Sequence, residues 1–570
     1  MGRRKMKTAH VFSFAVGFLL LFSFFLLLHV NNHLSSSSPS TIMDVVDTNK
    51  FASVHHRHTL TNSLLREHQH AATSPPRQSP PFSHSVLFPD WQVLVLSPAA
   101  LVVDDHHHDD LSCVFHNGAA SAARLAGTIP SSGRPAFLCT LPNSVRRLRP
   151  FYTPRLVRLG KILSRTEDAP PAASLMARWN RLAYESLSTA RDVLVFAKGV
   201  NRPSVSRPAA ELRCVFVDAD GKTVAETDVT SSAQEVFRCP HPPDIIITTS
   251  DVRVSIRVLG EEESTISTVA TYKPPPSLPA SKTSTSTLCA STMVYNATKF
   301  LPEWIKYHSS VGVDKFVLYD NGSEDDLQSA AARLRDAGGY DVDVVYWPWP
   351  KTQEAAFSHA AAAHRDACAW MAFVDVDEFV FSPAWSGSDA PDRTLLGSLL
   401  PKNRTGPVGQ VSIHCHEFGP SGRLAHPRGG VTQGYTCRTR AEKRHKSIVR
   451  PDAVDESLAN SIHHFALDRS GKWETDWLRP GRAVVNHYKF QAWDEFRVKF
   501  RRRASSYVSD WTDRTNPGSN DRTPGLGFHP VEPEGWAGRF CEVNDTGLRD
   551  VTRRWFGGVG PGAKMEWEEE

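Results

Sequence analysis

An excess of charge of one sign is missing from this chain: 65 Lys and Arg stand against 61 Asp and Glu, a net charge of +4 over 570 residues. Composition therefore gives no argument for nucleic acid as a partner. No nucleophile motif and no close acid/base pair stands out, which leaves a hydrolase of phosphate or glycosidic bonds without its machinery. Long apolar runs are scarce as well. The one that stands out is Val11 to Val30, uncharged and rich in Phe and Leu. Its length just spans a bilayer core. The basic stretch Met1-Gly2-Arg3-Arg4-Lys5-Met6-Lys7 precedes it and favours a cytosolic amino terminus. No A-x-A-like cleavage site follows; His29-Val30-Asn31-Asn32 comes instead. These features predict a cytosolic tail (1–10), a transmembrane signal anchor (11–30) and a lumenal remainder, the topology of a type II membrane protein.

The rest suits a lumenal address. Asn-x-Ser/Thr sequons occur at Asn296, Asn321, Asn403 and Asn544. Asn321 is the least suited to a glycan, because it adjoins the candidate site residue Asp320. Nine cysteines fit an oxidising compartment, and the odd number leaves at least one unpaired or intermolecular, which keeps a homodimer open. Residues 31–86 are rich in Ser, His, Pro and Thr. Such a stretch cannot offset its ordering entropy and reads as a disordered stem.

From 87 to 273 short β-type runs alternate with turn signals, among them QVLVL (92–96), DVLVFAKG (192–199), LRCVFVDADG (212–221) and VRVSIRVLG (252–260). That spacing predicts an all-β, sandwich-like module. An internal echo runs through it: LSCVFHNG then AFLCTLP resembles LRCVFVDADG then VFRCPHP. Cys113 and Cys139 are 26 apart, Cys214 and Cys239 are 25 apart. Two similar β units follow, each closed by its own disulfide. Cys415 with Cys437 is a further candidate pair, and Cys289 and Cys368 are candidates for free thiols in core-like elements.

The Pro/Ser/Thr stretch 274–287, PPPSLPASKTSTST, reads as a linker. Beyond it the pattern alternates: strand LCASTMVYN (288–296), helix KFLPEWIKYHSSVG (299–312), strand KFVLYDN (315–321), helix EDDLQSAAARLRDAG (324–338), strand VDVVYWPW (342–349), then an alanine-rich helix from Gln353 to Cys368. This predicts an α/β domain with a mainly parallel sheet, over 288–550, followed by a tail (551–570). Ligands bind such sheets at the carboxyl ends of the strands. Asp320-Asn321 fall there, and so does the end of the run AWMAFVDVDEFVF (369–381). Asp375 and Asp377 are two apart, so on an extended chain they project to one side and can hold Mg²⁺ or Mn²⁺.

These residues resemble plant members of glycosyltransferase family 92, nucleotide-sugar transferases of the GT-A fold. The resemblance is carried in collinear order by LPEWIKYHSSVGVDKFVLYDNGSEDD (301–326), WPWPKTQEAAFSHA (347–360), FVDVDEF (373–379), CHEFGPSG (415–422), GYTCRTRAEKRHKSIVRP (434–451), VVNHYKFQAW (484–493) and PGLGFHPVEPEGWAGRFCEVNDTGLRD (524–550). It implies that Asp320 contacts the uridine of a UDP-sugar donor. Asp375 and Asp377 form the metal-binding DxD, with His487 as a further ligand to Mn²⁺ or Mg²⁺. His445, Lys446 and Arg450 are cations for the diphosphate. The β module would be carbohydrate-binding-like, and the address a Golgi membrane.

Members of the family resemble inverting β-galactosyltransferases, some of which extend pectic galactan. The resemblance thus implies transfer of galactose from UDP-galactose onto a glycan or cell-wall polysaccharide acceptor. An inverting reaction needs a carboxylate base near the acceptor hydroxyl. Glu442 and Asp510 are the two candidates, while Glu417 adjoins the FGPSG stretch and is not chosen. The rival reading from another class is a membrane-anchored glycan-binding protein whose α/β domain is inactive; the intact DVD and His487 argue against it.

Overall fold

A computed structural model gives the fold, and it describes residues 85–97, 111–158, 161–162, 174–202, 205–243, 252–262, 264–275, 286–402, 406–461, 463–498, 525–526, 529–530, 532–560 and 562–568. All lie in one compact unit, 75–570. The expected anchor (11–30), the stem up to residue 84, Asn403 and Asp510 fall outside the described residues; the last two residues expected in the stem, Ser85 and Val86, instead open the first strand. No helix among the described residues is long and apolar enough to cross a membrane.

The β region is a tandem repeat. Its first unit comprises β1 (Ser85–Leu87), β2 (Gln92–Leu96), β3 (Leu111–Val114), β4 (Ala120–Ala122), β5 (Arg124–Thr128), β6 (Pro135–Thr140), β7 (Arg155–Arg158), β8 (Lys161–Ile162) and β9 (Ala177–Arg178). The second comprises β10 (Leu182–Ser188), β11 (Asp192–Lys198), β12 (Leu212–Val217), β13 (Thr223–Asp228), β14 (Ser231–Ala233), β15 (Val236–Pro240), β16 (Arg253–Val258) and β17 (Ser267–Thr268). One sheet of each unit runs β5-β6-β2-β1-β9 and β14-β15-β11-β10-β17; the other runs β4-β3-β7-β8 and β13-β12-β16. The orders match strand for strand, β8 aside. Cys113 on β3 is bonded to Cys139 on β6, and Cys214 on β12 to Cys239 on β15, so each bridge ties the two sheets of its own sandwich.

The α/β domain is built on one nine-stranded sheet. Its parallel part is β18 (Ser286–Val294), β19 (Lys315–Asp320), β20 (Asp341–Tyr346) and β21 (Cys368–Phe373). The chain then adds β22 (Glu378–Phe381), β23 (Val408–Glu417), β25 (His445–Val449), β28 (Glu474–Leu478) and β29 (Val484–His487), while β24 (Cys437–Arg438) and the β26/β27 hairpin (Asn460–Ser461, His464–Phe465) lie outside it. The order is β20-β19-β18-β21-β25-β23-β29-β22, with β28 also on β23. The run 369–381 is therefore two strands with a turn between them, in which Glu378 N–H donates to the Asp375 carbonyl (3.0 Å).

Helix α1 (Leu301–Val311) buries Leu301, Trp304, Ile305, His308 and Val311, the i, i+3, i+4 stripe of a core-facing helix. Gly312 ends it at φ +125°, where a Cβ would meet the Arg393 carbonyl oxygen at 2.2 Å. Helix α2 (Leu327–Asp336) is amphipathic in the same way, burying Leu327, Ala330, Ala331 and Leu334.

Helix α3 (Gln353–Ala363) differs, because every residue from Ala355 to Ala361 is buried. The β region supplies the second cover. Phe88, Trp179, Leu182 and Phe196 share one hydrophobic cluster with Trp347, Trp349, Phe357 and Ala360. Trp179 stacks on Trp349 (5.9 Å, 10° between planes), and Phe196 meets Trp347 edge-on at 5.6 Å. Alanines let α3 fit between two packing partners, which accounts for their number. The stretch 274–287 thus separates chain segments and not cores, and the module shares a core with the α/β domain.

Three further expectations change. Cys289 and Cys368, read as free, are bonded to each other, because β18 and β21 are neighbouring parallel strands. Cys437 is bonded to Cys541, not to Cys415, because β24 lies in a separate small sheet; Cys415 is the free, buried thiol, inside β23. The tail expected from 551 begins inside a helix, α4 (Gly547–Phe556), and Trp555, Phe556, Met565 and Trp567 are buried in the main core.

Candidate active site

Because β18, β19 and β21 are parallel, their carboxyl ends lie along one edge, and a cleft of about 700 Å³ opens there. Asp375, Asp377 and His487 line it together with Asn321, Gln353 and Glu495. The two aspartates come from the turn after β21, and the histidine from the last residue of β29.

Asp375 is held on all sides. Gln353 Nε2 donates to its Oδ1 (3.0 Å), Lys446 Nζ lies 3.0 Å from its Oδ2, and His463 Nε2 lies 3.4 Å from the same oxygen. Its backbone N–H donates to Glu378 Oε2 (2.8 Å). Burial alone would raise the Asp375 pKa, but the charges of Lys446 and the nearby histidines outweigh it and hold the carboxyl well below the usual range. Lys446 is itself buried between Asp375 and Glu378, with Nζ 2.7 Å from Glu378 Oε1. Burial works against its charge, the two carboxylates overcome this, and its pKa is raised.

His487 faces two carboxylates. Its Nδ1 is 3.3 Å from Glu378 Oε1, and its Nε2 is 3.6 Å from Asp377 Oδ2. The ring thus presents Nδ1 to one carboxylate and Nε2 to the aspartates, the side from which an imidazole could ligate a metal held by them. Oxygen donors from two aspartates plus one imidazole suit Mn²⁺ or Mg²⁺ in kind. Among the described residues, no three His, Cys, Asp or Glu side chains form a ready cage. Lys446 supplies the counter-charge on Asp375 in this arrangement.

The other expected residues make different contacts. Asp320 is buried, and its Oδ1 accepts from the N–H groups of Gly322 (3.1 Å) and Ser323 (2.8 Å), which shapes the turn after β19. Asn321 donates to the carbonyls of Trp347 (2.7 Å) and Trp349 (3.1 Å), so its amide is committed to the fold. Lys446 grips carboxylates and does not present a free cation to a diphosphate. His445, on the opposite face of β25, packs on Trp477 (4.9 Å) and His464 (5.0 Å). Arg450 pairs with Asp452 and lies over the Trp473 ring.

Glu442 is 39% exposed and lies 3.9 Å from both His414 and His416, and it does not line the cleft. Glu417 is fully buried against Lys489 (2.8 Å). Asn544 is exposed, whereas Asn296 is only partly exposed and lines the cleft, where a glycan would crowd it.

Sequence reasoning missed Gln353, Glu378 and His463. The signal for Glu378 was present: a third acid directly after the DVD, ahead of a fully apolar strand, has to be buried and needs a partner.

Comparison with known proteins gives the family. A model of "Glycosyltransferase family 92" matches residues 284–522. A family 92 protein of Oryza sativa subsp. japonica is 36% identical over 493 residues, covering 83% of this chain and 80% of that one. The chain belongs to glycosyltransferase family 92. Family 92 proteins of Ricinus communis (39% identical over 414 residues, 70% of this chain and 71% of that one) and Arabidopsis thaliana (39% over 384 residues, 65% and 66%) are similar too. Among solved structures, a mannosyltransferase of Pyrobaculum calidifontis in complex with GDP-Man and Mn²⁺ is 15% identical, covering 41% of this family 92 chain and 65% of that one, with a TM-score of 0.24. A glucosyl-3-phosphoglycerate synthase of Mycobacterium tuberculosis is 16% identical, covering 43% and 88%, with a TM-score of 0.23. Overlaps of that extent carry no argument about the site.

Proposed function

We propose that this glycosyltransferase is a GT-A-type enzyme that moves a hexose, galactose from UDP-galactose by family resemblance, onto a glycan or polysaccharide hydroxyl with inversion. The observation that carries this reading is the meeting of Asp375, Asp377 and His487 in one cleft at the carboxyl edge of the parallel strands. A divalent cation bound there would offset the negative charge that develops on the UDP leaving group as its bond to the sugar breaks. The protein's own contribution is to hold its donors in place. Gln353 and His463 orient Asp375, Glu378 orients His487, and Lys446 offsets the carboxylate charge without entering the open side of the cleft. The walls from Met293 to Phe300 and Asn321 line a cleft of about 700 Å³, which leaves room for a nucleotide.

The apolar run at 11–30 and its basic flank support anchoring in a Golgi membrane with this domain lumenal. The test is a donor screen: purified protein with Mn²⁺, reading UDP release across UDP-galactose, UDP-glucose, UDP-N-acetylglucosamine and UDP-xylose. Release from none of them, with GDP-mannose equally inert, would reject the reading.

A further inference from the structure

Trp477, on β28, is 49% exposed, and it is the only Phe, Tyr or Trp among the described residues that is more than about a third exposed. Three imidazoles surround it. His464 stacks against the indole (5.6 Å, 25° between planes), His445 meets it edge-on at 4.9 Å, and His414 lies at 6.1 Å. Strand register accounts for the grouping. Ser412 on β23 lies opposite Trp477 on one side and Ser447 of β25 on the other, and His414 lies opposite His445, so all these side chains share one sheet face.

An exposed indole costs free energy in water, and polar neighbours that brace it in one orientation do not remove that cost. What such a braced ring fits is a flat ligand face with polar groups around its rim. The apolar C–H face of a pyranose is one, with hydroxyls in the ring plane. Here the rim carries His414, half-exposed Glu442 within 3.9 Å of it, and Thr475. The carboxylate of Glu442 on this rim would repel a uronate, which suits an uncharged sugar.

Two chain segments link the face to Asp375 of the donor cleft. His463 touches Asp375 Oδ2 while its neighbour His464 stacks on Trp477. Lys446 touches the same oxygen while its neighbour His445 abuts the same indole. We propose that Trp477, braced by His464, His445 and His414, is an acceptor subsite that stacks a neutral hexopyranose unit of the glycan chain one or more residues from the reacting end. The inference rests on the transferase reading above. It also gives Glu442 a role on the acceptor rim in place of catalysis.

The experiment measures binding, by titration calorimetry, of β-linked galacto-, gluco-, manno- and xylotetraose to the purified protein and to its W477A and W477F variants. UDP binding in Mn²⁺ on the same samples reports the donor site and folding. The expected result is that at least one hexo-oligosaccharide binds the parent protein, at least tenfold more weakly to W477A, and within threefold to W477F. Equal binding to the parent and W477A, or no oligosaccharide binding to the parent at all, overturns the subsite. A parent protein that fails to bind UDP or GDP overturns the transferase reading instead, so the two failures are told apart.

Discussion

Glu378 and His487 face each other across β22 and β29 as a register pair, and Glu378 Oε1 lies 3.3 Å from His487 Nδ1. The same oxygen is 2.7 Å from Lys446 Nζ, and Oε2 accepts the Asp375 N–H. One fully buried carboxylate therefore joins both ends of the candidate metal centre: the turn that bears the aspartates and the strand that bears the imidazole.

Replacing Glu378 should act through that junction. E378A leaves Lys446 and His487 buried with one anionic partner fewer, at a cost of about 3–5 kcal/mol. E378Q keeps the shape and should lose less stability. It should nonetheless weaken Mn²⁺ binding roughly 10–100-fold, because the Nδ1 partner no longer carries a charge. Mn²⁺ titration followed by electron paramagnetic resonance, alongside thermal melts, separates the two effects. Parent-like Mn²⁺ affinity in a folded E378Q would contradict the arrangement.

Asp377 makes the complementary case. Its carboxylate lines the cleft and serves no apolar packing, so D377A should melt within a few degrees of the parent. Transfer should fall by at least about 100-fold, as expected when a ligand to a charge-neutralising ion is lost. Chelation of the parent should reproduce the loss, and Mn²⁺ should restore the parent alone. Full turnover in EDTA would contradict the metal-dependent reading.

The β region provides a third test. A fragment beginning at residue 285 loses Phe88, Trp179, Tyr184 and Phe196, which cover Trp347, Trp349 and Phe357, each no more than 1% exposed. Burying one such ring contributes about 1.5–3 kcal/mol. Losing several approaches the whole net stability of a domain, about 5–15 kcal/mol. The fragment is expected to be insoluble or to expose apolar surface that binds a hydrophobic dye, while the chain from 75 stays soluble. A soluble, cooperatively melting fragment would show that the shared core is dispensable.

Much of this organisation was legible before any coordinates. The i, i+3, i+4 pattern of Leu301, Trp304, Ile305 and His308 marks α1, and the repeated cysteine spacing marks the two sandwiches, because both are local patterns in the chain. The shared core was not legible as such. Its one signal was the alanine run of α3, too small-sided for an ordinary amphipathic helix, whose reason lies in strands more than 150 residues earlier. Cys289 with Cys368, and Lys446 between Asp375 and Glu378, depend on strand order, and hydropathy does not encode which strands become neighbours. Glu442 was chosen for its position between two motifs, but it faces His414 and His416 and does not line the cleft, because its neighbours are set by strand pairing and not by sequence position.

The last prediction concerns acid. On α1, Glu303 accepts from the N–H groups of Val431 (2.7 Å) and Thr432 (3.0 Å), and burial pushes its pKa up to about 7. Glu185, buried between the β units, is likewise pushed up to about 7. A carboxyl whose folded pKa exceeds its unfolded value binds its proton more tightly when folded. Its stabilisation is complete below the unfolded value and is lost as pH rises toward 7. His308 and His359 do the reverse, since burial lowers them to about 4 and about 3. Their contribution is complete above the unfolded histidine value and is lost as pH falls below it. Between about pH 4.5 and 6.5 the two pairs oppose each other, and their sum is nearly flat. E303Q removes one carboxyl and leaves both histidines. Relative to the parent, it should lose about 2 kcal/mol of stability on going from pH 7 to pH 5, at about 1.4 kcal/mol per pH unit. The constant cost of the altered cap at Val431 and Thr432 cancels in that comparison. Denaturant titrations of parent and variant at the two pH values measure it, and parallel pH dependences would show that Glu303 does not titrate as its burial requires.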